Sequence, residues 1–142
     1  MTYLVDTDIL SIWQNGTGTE YAMFALRLSA HSLTEVGVSV VSFHEQMVGA
    51  SAYLNRGRTG ADLVAGYGRL EWLRLWFAGL TVVPFDDASA LVFDQLKASK
   101  VRVGTMDLRI AAIALSRNLV VVTRNLRDFG QAPGLRVEDW TR

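Results

Sequence analysis

The sequence contains no cysteine, which removes disulfide frameworks and thiolate metal sites and gives no sign of an oxidising compartment. Only 2 of its 142 residues are proline, too few for a proline-rich linker. No apolar run approaches the ~18 residues that a membrane helix needs, and the N-terminus lacks the features of a signal peptide. The expectation is a cytoplasmic chain with no membrane association. Net charge is also missing: 14 basic residues balance 14 acidic ones, so any nucleic-acid site has to be a local patch. Neither a GxSxG elbow, a P-loop nor a dinucleotide fingerprint appears.

What is present describes a globular chain. Half of the residues are hydrophobic and 20% are charged, and 142 residues suffice to bury a real core in one domain spanning residues 1–142. Twelve arginines stand against two lysines, and the planar guanidinium suits bidentate contacts to phosphate or carboxylate.

Residues 3–5 read as a strand, and "TDILSIWQNG" as a short helix that Thr7 or Asp8 caps and Gly16 ends. Helical spacing predicts a helix over residues 20–32 and another over 62–77, ending at Gly79. "EVGVSVVSF" is rich in β-branched residues and predicts a strand, with Ser42 capping the helix that begins near "FHEQMVGASAYL". "LTVVPF" and "LVVVT" read as strands, "DDASALVFDQLKAS" and "TMDLRIAAIALSRN" as helices, and "LRVEDW" as a last short strand. Strands alternating with helices predict an α/β fold with a parallel sheet covered on both faces. Ligands of such sheets bind beyond the carboxyl ends of the strands.

Four acids fall at that edge. Asp6 follows the first strand, Glu45 is expected in the first turn of the helix after "VGVSVV", Asp107 opens the helix "MDLRIAAIAL", and Asp128 lies in the loop "RNLRDF". A pocket of such acids repels itself unless a cation neutralises it. Oxygen ligands without thiolate favour Mg²⁺ or Mn²⁺ over zinc. A carboxylate-held ion of this kind meets phosphate oxygens, so the reaction class is phosphodiester hydrolysis. Asp8 reads as a cap or a solvent-facing residue rather than a ligand, and any single acid in a first helical turn is already favoured by the helix dipole. His44 adjoins Glu45 in sequence, but helical neighbours do not face each other. Trp72, Trp76 and Phe77 read as core or interface.

"LVDTDIL", "VSVVSFHEQMVG", "GTMDLRIAAIAL" and "LVVVTRNLRDF", in that order, resemble the PIN-domain nucleases and, within them, the VapC-type toxins of bacterial toxin–antitoxin pairs. "PGLRVEDW" resembles the C-terminus of many of those toxins, so the matches span residues 4–140, with 53–80 the least diagnostic part. The resemblance implies an α/β/α sandwich around a mostly parallel sheet and a metal-dependent endoribonuclease acting on RNA. It makes Asp6, Glu45 and Asp107 the first three acids. Thr123 would orient Asp6 or the attacking water. The fourth metal position is Asp128, with Asn125 as its alternative, because Asn125 stands where the family often has Asp. Arg102, Arg109, Arg124 and Arg127 are candidate phosphate contacts. The resemblance further implies a homodimer and a cognate antitoxin whose C-terminal arginine enters the acidic groove. Two other readings use the same acids: a catalytically inactive PIN-like binding module, and a nuclease or phosphatase acting on another phosphate substrate.

Overall fold

A computed structural model describes residues 1–142. Five short strands, β1 (Tyr3–Val5), β2 (Val36–Ser39), β3 (Thr81–Val83), β4 (Val120–Val122) and β5 (Arg136–Glu138), form one sheet in the order β3-β2-β1-β4-β5. Every pairing is parallel. Helices α1 (Thr7–Asn15), α2 (Thr19–Ser29), α3 (Val40–Arg56), α4 (Gly60–Ala78), α5 (Asp87–Ala98), α6 (Thr105–Ser116) and α7 (Leu126–Phe129) connect them. This is the α/β sandwich expected from the alternation of apolar runs.

The period of the strands sorts the core into two layers. Leu4 and Val121 point to one face and pack with Ile110, Ile113 and Phe129, whereas Val5, Val38 and Val122 point to the other and pack with Ile9, Leu10, Phe24, Leu73 and Trp140. The inner strands β1, β2 and β4 are therefore buried on both sides and read as apolar runs rather than alternations, whereas the edge strands β3 and β5 are partly exposed.

Register decides where the site falls. Val5 is level with Val38 on one side and with Val122 on the other, so Asp6, Ser39 and Thr123 leave the sheet side by side. Successive strands go one way from β1 and later ones the other, and the opening between β1 and β4 is the switch point at which parallel sheets take ligands.

Three local expectations need correction. The strand before α3 stops at Ser39, whose hydroxyl accepts from the Ser42 amide at 3.0 Å, so Ser39 and not Ser42 is the cap. Val40 and Val41 are thus helical despite their β-branching, and Glu45 moves from the first turn into the second. Helix α2 stops at Ser29, because the Glu35 carboxylate accepts from the Ser32 amide at 2.8 Å and folds residues 32–35 into a turn. Asp128 lies in the short helix α7 rather than in a loop, since the Asn125 side chain caps that turn.

Candidate active site

Asp6 is the N-cap of α1 and only 4% exposed. Both of its carboxylate oxygens are held: Oδ1 accepts from the Thr7 amide at 2.7 Å and Oδ2 from the Thr123 hydroxyl at 2.9 Å. Thr123 is fully buried, and its hydroxyl oxygen accepts in turn from the Asn125 amide at 2.9 Å. Thr7 ties the second strand end to the first. Its hydroxyl lies 2.8 Å from both Glu45 Oε1 and Ser42 Oγ, and Ser42 belongs to the turn that Ser39 caps.

Asp6, Asp8, Glu45, Asp107 and Asn125 line one open cavity of about 330 Å³, with Thr7 and Ser11 between them. Its charge shows in the acids themselves. Burial pushes the Asp6 carboxyl up to about 8, and the Asp8 charge beside it adds to the rise against the hydrogen bonds from Thr123 and Thr7. Half-buried Asp107 is also raised, first by burial and then by the charges of Glu45, Asp128 and Asp8.

Asp8 is the residue that sequence reasoning misplaced. Neither it nor Thr7 caps α1, since Asp6 does; the Asp8 Oδ1 accepts from the Ile9 amide at 2.7 Å, and the residue is half-buried on the cavity wall. The signal was the cap position itself. With Asp6 at the N-cap, the residue two places on still belongs to the end of the helix where the free amides point, so both acids face the same opening. Thr7 and Ser42 are expected from the sequence only as helix caps, since nothing in their spacing marks a bridge between two helices.

Asp128 does not itself line the cavity but adjoins it: its Oδ2 accepts from the Asn125 side-chain amide at 2.9 Å, and its charge helps to raise Asp107. Asn125 is therefore the cavity-lining member of that pair. Among the arginines, Arg124 stands near the acids, with Nε 3.5 Å from Asp8 and Nη1 2.6 Å from Glu20. Arg109 is half-buried against Met106, while Arg102 and Arg127 are exposed outside the cavity. His44 is exposed and His31 stacks on Trp140, so neither histidine belongs to the site.

The donor set is oxygen throughout, which fits a hard divalent cation. No three acids converge closely enough to grip one ion by themselves. The arrangement accordingly suits an ion held by one or two carboxylates with its own waters completing the shell.

The structure is a parallel α/β sheet with carboxylates from separate strand ends around one polar cavity at the sheet's carboxyl edge. The PIN domain model matches residues 3–135. A Salmonella typhimurium protein named tRNA(fMet)-specific endonuclease VapC is 36% identical over 107 residues, covering 72% of this chain and 74% of that protein. The chain belongs to the PIN domain family, on its VapC branch. The solved DNA-bound VapBC of Salmonella typhimurium is 30% identical and covers 99% of this chain and 98% of that one, with a TM-score of 0.73. VapBC-1 from nontypeable Haemophilus influenzae shares the fold at a TM-score of 0.77, covering 100% of both chains at 23% identity.

Proposed function

We propose that the protein is a divalent-metal-dependent endoribonuclease toxin, neutralised by a cognate antitoxin. The observation that carries this reading is the convergence of Asp6, Asp8, Glu45 and Asp107 on one cavity at the switch point of a parallel sheet. The endonuclease name of the Salmonella relative supports RNA as substrate, and the solved VapBC assembly supports an antitoxin partner.

One or two of the Asp6, Glu45 and Asp107 carboxylates would hold Mg²⁺ or Mn²⁺ directly and the rest through its waters, with Asn125 or Asp128, bonded to each other, at the fourth position. Such a cation, when bound, neutralises the acids, makes a water nucleophilic and offsets charge building on the phosphoryl oxygens. The protein's own part is positioning. Thr123 and the Thr7 amide fix both oxygens of Asp6, and the Thr7 hydroxyl fixes Glu45. Arg124 is the arginine best placed for a phosphate, and pairing with Asp8 and Glu20 holds it at the rim until substrate arrives. The same pairing leaves the acidic groove open to an antitoxin arginine. Arg102, Arg109 and Arg127 remain outer phosphate contacts in this reading.

The same reading treats residues 1–142 as one domain working in the cytoplasm, where its RNA is, and as a homodimer. Leu63, Val64 and Tyr67 support the dimer, as exposed apolar side chains near the start of α4. The reaction class is tested by incubating purified protein and Mg²⁺ or Mn²⁺ with RNA, DNA and a small phosphate ester. RNA cleavage alone is expected; equal hydrolysis of DNA or of the ester would assign the acids to another phosphate chemistry.

A further inference from the structure

The acid cavity continues beyond Asp8. Asp8 and Ser11 also line a trough of about 630 Å³ that Gln14, Gln46, Arg69 and Trp72 complete. Ser11, Gln46 and Arg69 recur in a further 540 Å³ of cavity, which reaches Arg56. One path thus leads from the carboxylates along α1 into the space between α3 and α4. Asp8, Ser11 and Asn15 lie three and seven residues apart on one face of α1, roughly 10 Å of helix at about 1.5 Å per residue.

The path grows more basic away from the acids. Asp8, its single carboxylate, is paired with Arg124 at the acid end, whereas Arg56 and Arg69 stand beyond it. Neither arginine lies within ion-pair distance of a carboxylate. The Arg69 guanidinium rests on the face of Trp72, 4.7 Å from the ring centroid, and Trp72 is backed by Trp76. Stacking holds the fork flat and leaves its N–H edge free, the state in which a guanidinium grips a phosphate with least loss of freedom. Beside it, Gln14 and Gln46 exchange two amide hydrogen bonds, each 2.7 Å. Each amide keeps one N–H and one carbonyl lone pair unused, the complement of a nucleobase edge.

We propose that this trough is a binding subsite for one unpaired nucleotide adjoining the scissile phosphate. Arg69, backed by Trp72, holds the nucleotide's phosphate, and the Gln14–Gln46 pair reads its base. The proposal rests on the nuclease reading and adds to it the residues that choose the sequence cut. A peptide is the poorer occupant, because a docked helix needs an apolar groove and an added strand needs a free sheet edge. Most of the side chains lining this trough are polar or charged, and it lies between helices.

The test measures binding of a short fluorescein-labelled single-stranded RNA of randomised sequence, in an Asp6→Asn background across a salt titration, beside RNA cleavage by otherwise wild-type enzyme. Arg69→Ala is expected to weaken RNA binding about tenfold, one charge-assisted contact, and to lower the salt slope by about one. In cleavage it raises KM with kcat unchanged. Gln46→Ala is expected to alter base preference at one position next to the cut while total affinity changes little. Arg69→Lys, which keeps charge without the fork, should restore the salt slope but not the affinity. If wild-type enzyme cleaves RNA while Arg69→Ala binds and cleaves as it does, the subsite is overturned and the nuclease reading stands. If wild-type enzyme cleaves no RNA, both fall. An oligo-glutamate of matching charge that competes equally through Arg69 would overturn the subsite in favour of an acidic peptide.

Discussion

Asp6 is a carboxylate placed where a carboxylate is costly. Its burial raises its pKa to about 8 in the protein without metal, so the folded chain binds a proton there that the unfolded chain, with the ordinary value of 3.8, has already released. Stability of the metal-free protein therefore falls as pH rises between those two values. Asp107, raised in the same direction, adds to the slope. Asp62 and Asp86, held low by hydrogen bonds to their capped turns, act on the acid side of that window. Thermal unfolding followed across the window should show Tm declining with pH in the wild type and a much flatter profile in Asp6→Asn. A Tm that rises through the window would mean that Asp6 is ionised and satisfied without a cation. Asp6 was legible in the sequence because it ends an apolar strand. Asp8 was not, because helical spacing tells which faces of a helix diverge but not that its first turn opens onto a cavity at the helix end.

Element ends do most of the positioning. Ser39 closes β2 and caps α3, and the same turn brings Ser42 to Thr7 and so sets where Glu45 points. Ser39→Ala should cost about 1 kcal/mol in a urea titration, the usual worth of an N-cap. It should also lower RNA cleavage, because Glu45 loses the fixed start of its helix; full activity at reduced stability would show that Glu45 is placed by Thr7 alone. The sequence marked nearly every element and misjudged this boundary. "SVV" is a run of strand formers, and the helix there is stabilised by packing Val41 into the core below the sheet, an effect that local propensity does not contain. The strand order was likewise beyond a reading of apolar runs, although parallel pairing was expected from them.

At the scale of the molecule, net charge is zero while its distribution is not: acids collect at one opening and unpaired arginines beyond it. Val64 and Tyr67 lie outside these cavities, 76% and 62% exposed on α4. Arginine at Val64 and Tyr67 together should convert the proposed dimer to a monomer in sedimentation with Tm unchanged; a wild type that sediments as a monomer would remove the dimer from the account.

If these carboxylates form a cation-dependent site for cutting RNA, cleavage requires both the metal and Asp6. Cleavage of RNA by wild type and Asp6→Asn, followed through a Mn²⁺ titration and after EDTA, tests it most directly. Activity is expected to require the metal and to drop about a thousandfold in Asp6→Asn, roughly 4 kcal/mol of transition-state stabilisation. Cleavage that survives EDTA, or that persists undiminished in Asp6→Asn, would contradict it.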